Sequence, residues 1–86
     1  MFIEVVTPDE KVFEGEVESA TFPGSDGSFQ LLNNQAAMIT TLGKGDMKLI
    51  SMVDKKPKET HILVEGGVVE VLNNKVTVLA EKVIDE

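Results

Sequence analysis

His61 is the only histidine in this chain of 86 residues, and there is no cysteine. Multi-histidine and thiolate metal centres are therefore excluded, as are disulfides and cysteine nucleophiles. A Ser-His-Asp arrangement would need His61 beside a serine in a deep cleft. A chain this short buries only roughly 60 to 65% of the surface its unfolded form exposes, too little to build one. His61 falls at the start of a predicted strand and reads as a surface or half-buried structural residue. Glu14, Glu16 and Glu18 are spaced to project from one side of a strand, where such a row can clasp a cation or meet a basic partner. No second set of carboxylates converges on them, so the row reads as a solvated face. The segment Pro23-Gly24-Ser25-Asp26-Gly27 lacks the lysine and the following helix of a phosphate-binding loop, and reads as a turn. None of these residues implies a catalytic group, a metal, a cofactor or a small-molecule ligand.

Lys48 has a separate claim on chemistry. Met47-Lys48 resembles the modified lysine of biotinyl and lipoyl carrier domains, which are small, acidic and all-β and hold that lysine at a tight hairpin tip. Here Lys48 lies inside the alternating run Asp46 to Met52, with no turn residue beside it, and is expected to point to solvent from mid-strand. Composition narrows the partners. With 8 Lys plus Arg against 15 Asp plus Glu and a net charge of -7, the chain repels polyanions, so nucleic acid is not an expected partner. No run approaches the roughly 20 apolar residues of a membrane helix, and Met1-Phe2-Ile3-Glu4 lacks the basic and apolar regions of a signal peptide. Together these point to a soluble protein on the cytoplasmic side with no direct membrane insertion, and leave open a place on a membrane complex through a protein partner.

The elements that must position these residues are strands. Apolar residues recur at period two, and β-branched types fill most core-facing positions. Phe2 to Thr7 reads as a strand closed by the turn Thr7-Pro8-Asp9-Glu10. Lys11 to Phe22 follows as a second, with Gly15 marking a bulge or bend. Ser28 to Leu32, Asp46 to Val53 and Thr60 to Glu65 are further strands, and Ala36 to Leu42 is too short to assign as strand or helical turn. Asp54-Lys55-Lys56-Pro57-Lys58 reads as a polar loop. Val68 to Leu72 and Val76 to Ala80 flank Asn73-Asn74, which tolerates positive φ, and form a hairpin. The tail Glu81 to Glu86 could begin a helix but is too short to nucleate one alone. With turns every 8 to 12 residues or so and no linker or repeat, the pattern implies one domain over residues 1–86. Its fold class is an all-β, two-sheet β-sandwich of about ten short strands.

The order of the motifs resembles the epsilon subunit of F-type ATP synthase, in its N-terminal β-sandwich domain, called delta in mitochondria. Val6-Thr7-Pro8 with Val12-Phe13-Glu14-Gly15-Glu16-Val17 is similar to that family's opening. Phe22-Pro23-Gly24-Ser25-Asp26-Gly27-Ser28-Phe29 is similar to its central loop, and Thr40-Thr41-Leu42 with Gly45 follow in register. The most specific stretch is Glu65-Gly66-Gly67-Val68-Val69-Glu70-Val71 with Asn74-Lys75-Val76-Thr77-Val78-Leu79-Ala80-Glu81. The resemblance implies a non-catalytic central-stalk rotor subunit that links the gamma subunit to the c ring and couples proton or sodium flow to ATP synthesis. It implies that Ser25, Asp26, Gly27, Ser28 and Phe29 lie near the polar loops of the c ring, and that Thr7, Gln35 and Thr40 face gamma. It also implies a place at the cytoplasmic face of a bacterial plasma membrane, as a peripheral part of the complex.

The chain departs from that family's pattern in three places, one of them Ser28, which stands where some members carry an acid. Where the family often has Pro-Asn-His-Ala-Pro, this sequence reads Asn33-Asn34-Gln35-Ala36-Ala37, so that loop is expected to be looser. Many members continue into two C-terminal helices, for which the sequence at hand has no counterpart. Two other readings stand beside this one: a lipoyl- or biotinyl-type carrier domain modified at Lys48, and a generic β-sandwich protein-binding module.

Overall fold

A computed structural model describes residues 1–24 and 26–84. Its regular elements are β1 (Phe2–Val6), β2 (Lys11–Glu16), β3 (Ser19–Gly24), β4 (Gly27–Leu32), β5 (Met38–Val53), β6 (Lys56–Leu72) and β7 (Lys75–Ala80). They hydrogen-bond in the order β2-β1-β7-β6-β5-β3-β4. The neighbours β1 and β7 run parallel; the other pairs are antiparallel.

The two layers are built from one long hairpin. β5 and β6, of 16 and 17 residues, stay in one register from Met38↔Val71 to Val53↔Lys56. β7 pairs only with the Gly67–Leu72 part of β6, while β3 pairs with β5 over Lys48–Ile50 and again at Leu42. The first layer is thus β2, β1, β7 and the Asn73 ends of the long strands; the second is their other ends with β3 and β4. Alternation then turns one side of each layer inward. Ile3, Val69 and Val78 of the first layer and Phe22, Met47 and Leu49 of the second belong to one buried cluster, and burying side chains of this size stabilises by roughly 1.5 to 3 kcal/mol each. Among the described residues no polar or charged residue is buried.

The hairpin also corrects the strand count. The expected ten or so short strands are seven among the described residues, because the apolar runs on either side of Gly43-Lys44-Gly45, and those on either side of Gly66-Gly67, continue into one another. Glycine breaks a strand in a flat sheet, but here it lets a paired strand turn from one layer to the next. At Gly67 the reason is direct. Its φ is +135°, and an added Cβ would sit 2.3 Å from the Leu79 carbonyl oxygen and 2.9 Å from Ala80 Cα; only a residue without Cβ lets β7 approach so closely. By contrast, the single strand expected over Lys11 to Phe22 splits into β2 and β3 at Val17-Glu18. Gly15 is not the bulge: it pairs with Ile3, and the register slips between Val5 and Val6.

Loops are tighter than their composition suggests. The polar stretch from Asp54 shrinks to the turn Asp54-Lys55, with φ of 52° and 64°, and Pro57 lies in β6 opposite Met52. Asn73-Asn74, at φ 51° and 60°, closes the β6–β7 hairpin as the sequence implied. Past β7 the chain does not turn helical over its described residues. Val83 bridges Val64, Glu65 N–H donates to Lys82 O at 2.9 Å, and Ile84 N–H donates to Leu63 O at 2.9 Å, so the tail adds to the edge of β6. Asp85 and Glu86 lie outside the described residues.

Candidate functional site

The residues with chemical potential are dispersed on the outer faces. His61 projects from β6, with Nδ1 2.5 Å from Asp46 Oδ2 of β5 and Nε2 3.4 Å from Glu59 Oε2 of its own strand. The Asp46 carboxylate, then that of Glu59, raises its pKa above the usual 6.5. Each ring nitrogen faces a different carboxylate, so the group clasps two strands and leaves no common point for a ligand. Among the described residues no three metal-capable side chains converge. Lys48 sits mid-strand between Thr21 and His61, 3.7 Å from Glu59 Oε1, and not at the hairpin tip a carrier lysine needs.

The glutamate row also comes apart. Lys11 Nζ is 2.6 Å from Glu14 Oε2 and 3.1 Å from Glu4 Oε2. Glu14 is the main cause of the raised Lys11 pKa, and Lys11 in turn lowers that of Glu14. Glu16 lies 3.2 Å from the Met1 ammonium, and Glu18 accepts from the Asn33 amide at 3.3 Å. Three carboxylates with three different partners make no cation cage.

What the fold does present is a tip, a segment and a face. The tip is the β3–β4 turn, which is shorter than expected because Pro23 and Gly24 belong to β3 and Gly24 pairs with Gly27. Asp26, Gly27 and Ser28 are exposed. Phe29 is turned inward, its ring stacked on that of Phe22 with centroids 5.3 Å apart, so it anchors the tip instead of being displayed. Ser25 lies outside the described residues. The segment is the connection after β4, where Gln35 is half-buried and Ala36 and Ala37 are exposed; it is pinned by Asn34 N–H donating to Asn74 Oδ1 at 2.8 Å.

Thr7, Gln35 and Thr40 are not one patch. Thr7 follows β1 at the end away from Asn74, and its hydroxyl accepts from the N–H groups of Asp9 and Glu10 at 3.3 and 3.2 Å. Thr40 lies three strands away, opposite Val69. Between them the outer face of the first layer carries a row in register, Val6↔Leu79↔Val68↔Thr41, with Ile39 nearby at 70% exposure. At one end Val6, Thr7, Pro8 and Leu79 line a shallow cleft of ≈300 Å3. At the other, Met38, Ile39, Val71 and Leu72 line one of ≈460 Å3. Reading by alternation misses this face, because it uses apolar positions to find the core. The available signal was the doublets Val68-Val69 and Val71-Leu72, which put apolar side chains on both sides of one strand.

Comparison with known proteins gives this geometry a context. A family model described as the ATP synthase delta/epsilon chain, β-sandwich domain, matches residues 1–86. The ATP synthase epsilon chain of Maridesulfovibrio salexigens is 42% identical over 82 residues, covering 94% of this chain and 54% of that one. The epsilon chain of Chlorobium limicola is 40% identical over 81 residues, covering 94% and 89%. The chain spans between half and two thirds of the length of the first relatives it matches. Among solved structures, a chain of the Tetrahymena thermophila mitochondrial ATP synthase central stalk and c-ring superposes with a TM-score of 0.80 at 22% identity, over 98% of this chain and 65% of that one. One from the Euglena gracilis mitochondrial enzyme gives 0.84 at 17%, over 95% and 51%. With a match from end to end to the family's β-sandwich domain and an all-strand architecture, this chain belongs to the ATP synthase delta/epsilon family.

Proposed function

We propose that the chain is a non-catalytic part of the central stalk, a spacer that joins a gamma-type subunit to the c ring and so helps carry rotation driven by proton or sodium flow to the catalytic head. The observation that carries this reading is the placement of two exposed elements at the two ends of β4. The acidic tip with Asp26, Gly27 and Ser28 lies at one end and the Gln35 segment at the other. The strand of 6 residues between them spans roughly 17 to 20 Å. A rigid sandwich that holds two contact regions apart can transmit force between two partners and needs no reactive group. Asp26 meets basic side chains of the ring, which adds specificity more than affinity. The gamma-type subunit takes Gln35, Thr40 and, at its far margin, Thr7. So assembled, the chain is peripheral to the membrane, on its cytoplasmic face in a bacterium.

Co-elution with the cognate gamma subunit on size exclusion tests the reading. The wild-type chain should form a one-to-one complex. Thr40→Arg should lose it, and Asp26→Lys should keep it while weakening retention on immobilised c ring. Because Thr40 is half-buried, Ile39→Glu serves as the second variant if Thr40→Arg fails to fold. Absence of a complex between the wild-type chain and folded gamma overturns the proposal in favour of a generic binding module.

A further inference from the structure

We propose that Asn74 is a positioning residue, whose side chain sets the Gln35 segment in the shape that the gamma-type subunit binds. The inference deepens the proposed function and rests on its assignment of Gln35 to gamma. Residues 35–37 belong to no strand or turn, and no proline from Asn33 to Ala37 restricts their backbone. Their shape is set by what holds the two ends. At the far end Met38 opens β5 and pairs with Val71 of β6. At the near end Asn34 N–H donates to Asn74 Oδ1 at 2.8 Å. Both anchors lie on the β6–β7 hairpin, so that hairpin fixes the span the segment must bridge.

Asn74 suits the role because its backbone is held independently of its side chain. Its φ of 60° belongs to the turn, and its carbonyl accepts from Phe2 N–H at 3.1 Å, which ties the turn to β1. The bond that its side chain accepts is one the hairpin does not need. Asn34 stands at φ 63°, a left-handed conformation that asparagine tolerates but does not prefer, and the bond to Asn74 selects it. The residue before it is held elsewhere. Asn33 Oδ1 accepts from the Met1 ammonium, and Asn33 Nδ2 donates to Glu18 Oε2 at 3.3 Å. Loss of the Asn74 acceptor therefore frees the chain from Asn34 onward without releasing the end of β4. The release reaches the exposed face, since Ala37 and Met38 line the ≈460 Å3 cleft together with Ile39 and Leu72. A segment already in its bound shape spares the complex the cost of ordering it.

Substitutions at this one position separate positioning from folding. Asn74→Gly removes the Oδ1 acceptor and suits the positive φ of the turn, so the urea midpoint should be unchanged or higher. Exchange of the Asn34 amide should nonetheless quicken at least about threefold, and gamma binding should weaken about three- to tenfold. Asn74→Asp keeps the acceptor and tolerates the turn, and should bind gamma within about twofold of the wild-type chain. Retention on immobilised c ring, assigned to the Asp26 tip at the other end of β4, should be the same in all three. In a double-mutant cycle with Gln35→Ala the losses should fall short of additive, since a segment no longer placed has less to lose. Gamma binding at wild-type strength by Asn74→Gly, or additive losses with Gln35→Ala, overturns this inference and leaves the proposed function standing. An Asn74→Gly chain that fails to fold, has a clearly lower midpoint or loses c-ring retention in parallel makes the bond part of the fold, and overturns the inference as well. No binding of gamma by the wild-type chain overturns both proposals.

Discussion

Replacing Gly67, Gly27 and Gly15 by alanine separates what the backbone costs from what the packing costs. At Gly67 both act. Its φ of +135° and a Cβ 2.3 Å from the Leu79 carbonyl oxygen add conformational strain of about 1 to 3 kcal/mol to an overlap relieved only by moving β7 off β6. Each buried backbone bond left unmade there costs about 1 to 3 kcal/mol more, so at least about 3 kcal/mol is expected. For a chain of 86 residues total stability is on the order of 4 to 13 kcal/mol. With a urea slope near 1 kcal/mol per molar, the Gly67→Ala midpoint should fall by about 3 M or the cooperative transition should vanish. Gly27 has φ +119° but no atom within 4 Å of an added Cβ, so Gly27→Ala should cost only the backbone share, about 1 to 2 kcal/mol. Gly15 has ordinary φ and its nearest neighbours, on the Phe13 ring, are 3.9 Å away; Gly15→Ala should be neutral or stabilise by up to about 1 kcal/mol. A Gly67→Ala midpoint no lower than that of Gly27→Ala would refute the claim that close approach of β7 dictates this glycine.

Other outcomes follow from the same structure. Phe22→Ala empties the site of a fully buried ring and should cost about 3 to 5 kcal/mol in chemical denaturation, clearly more than Phe29→Ala, whose ring is only half-buried; equal losses would refute the anchoring of the tip on Phe22. The His61 pKa, raised by Asp46 and Glu59, makes the clasp sensitive to pH. Its contribution is full below about pH 6.5, the unfolded value, and is lost as the pH rises through the folded one. The stability gap between the wild-type chain and His61→Gln should therefore narrow with rising pH, and a gap independent of pH, or an NMR titration of His61 at or below 6.5, would count against the clasp.

Much of the fold is legible in the residues. Period-two alternation with β-branched residues identified an all-strand chain, and the alternation of Val76, Val78 and Ala80 on the buried side is what a half-buried strand must show. Asn73-Asn74 marked its hairpin because asparagine tolerates the left-handed backbone a tight turn requires. The absence of cysteine and the lone histidine excluded several catalytic chemistries before any geometry was known. These properties are local: each depends on a residue and its chain neighbours.

What the sequence left open depends on partners distant in the chain. Whether a glycine ends a strand or bends it is decided by what lies across from it, and at Gly67 the deciding atoms belong to Leu79 and Ala80. The row of Glu14, Glu16 and Glu18 looked like one feature until Lys11, Met1 and Asn33 divided it. Alternation says which side of a strand is apolar but not which edges remain unpaired. The openness of β4 and the exposure of Ile39 follow only from the order of the strands, which is set by long-range pairing and by burial of one shared core.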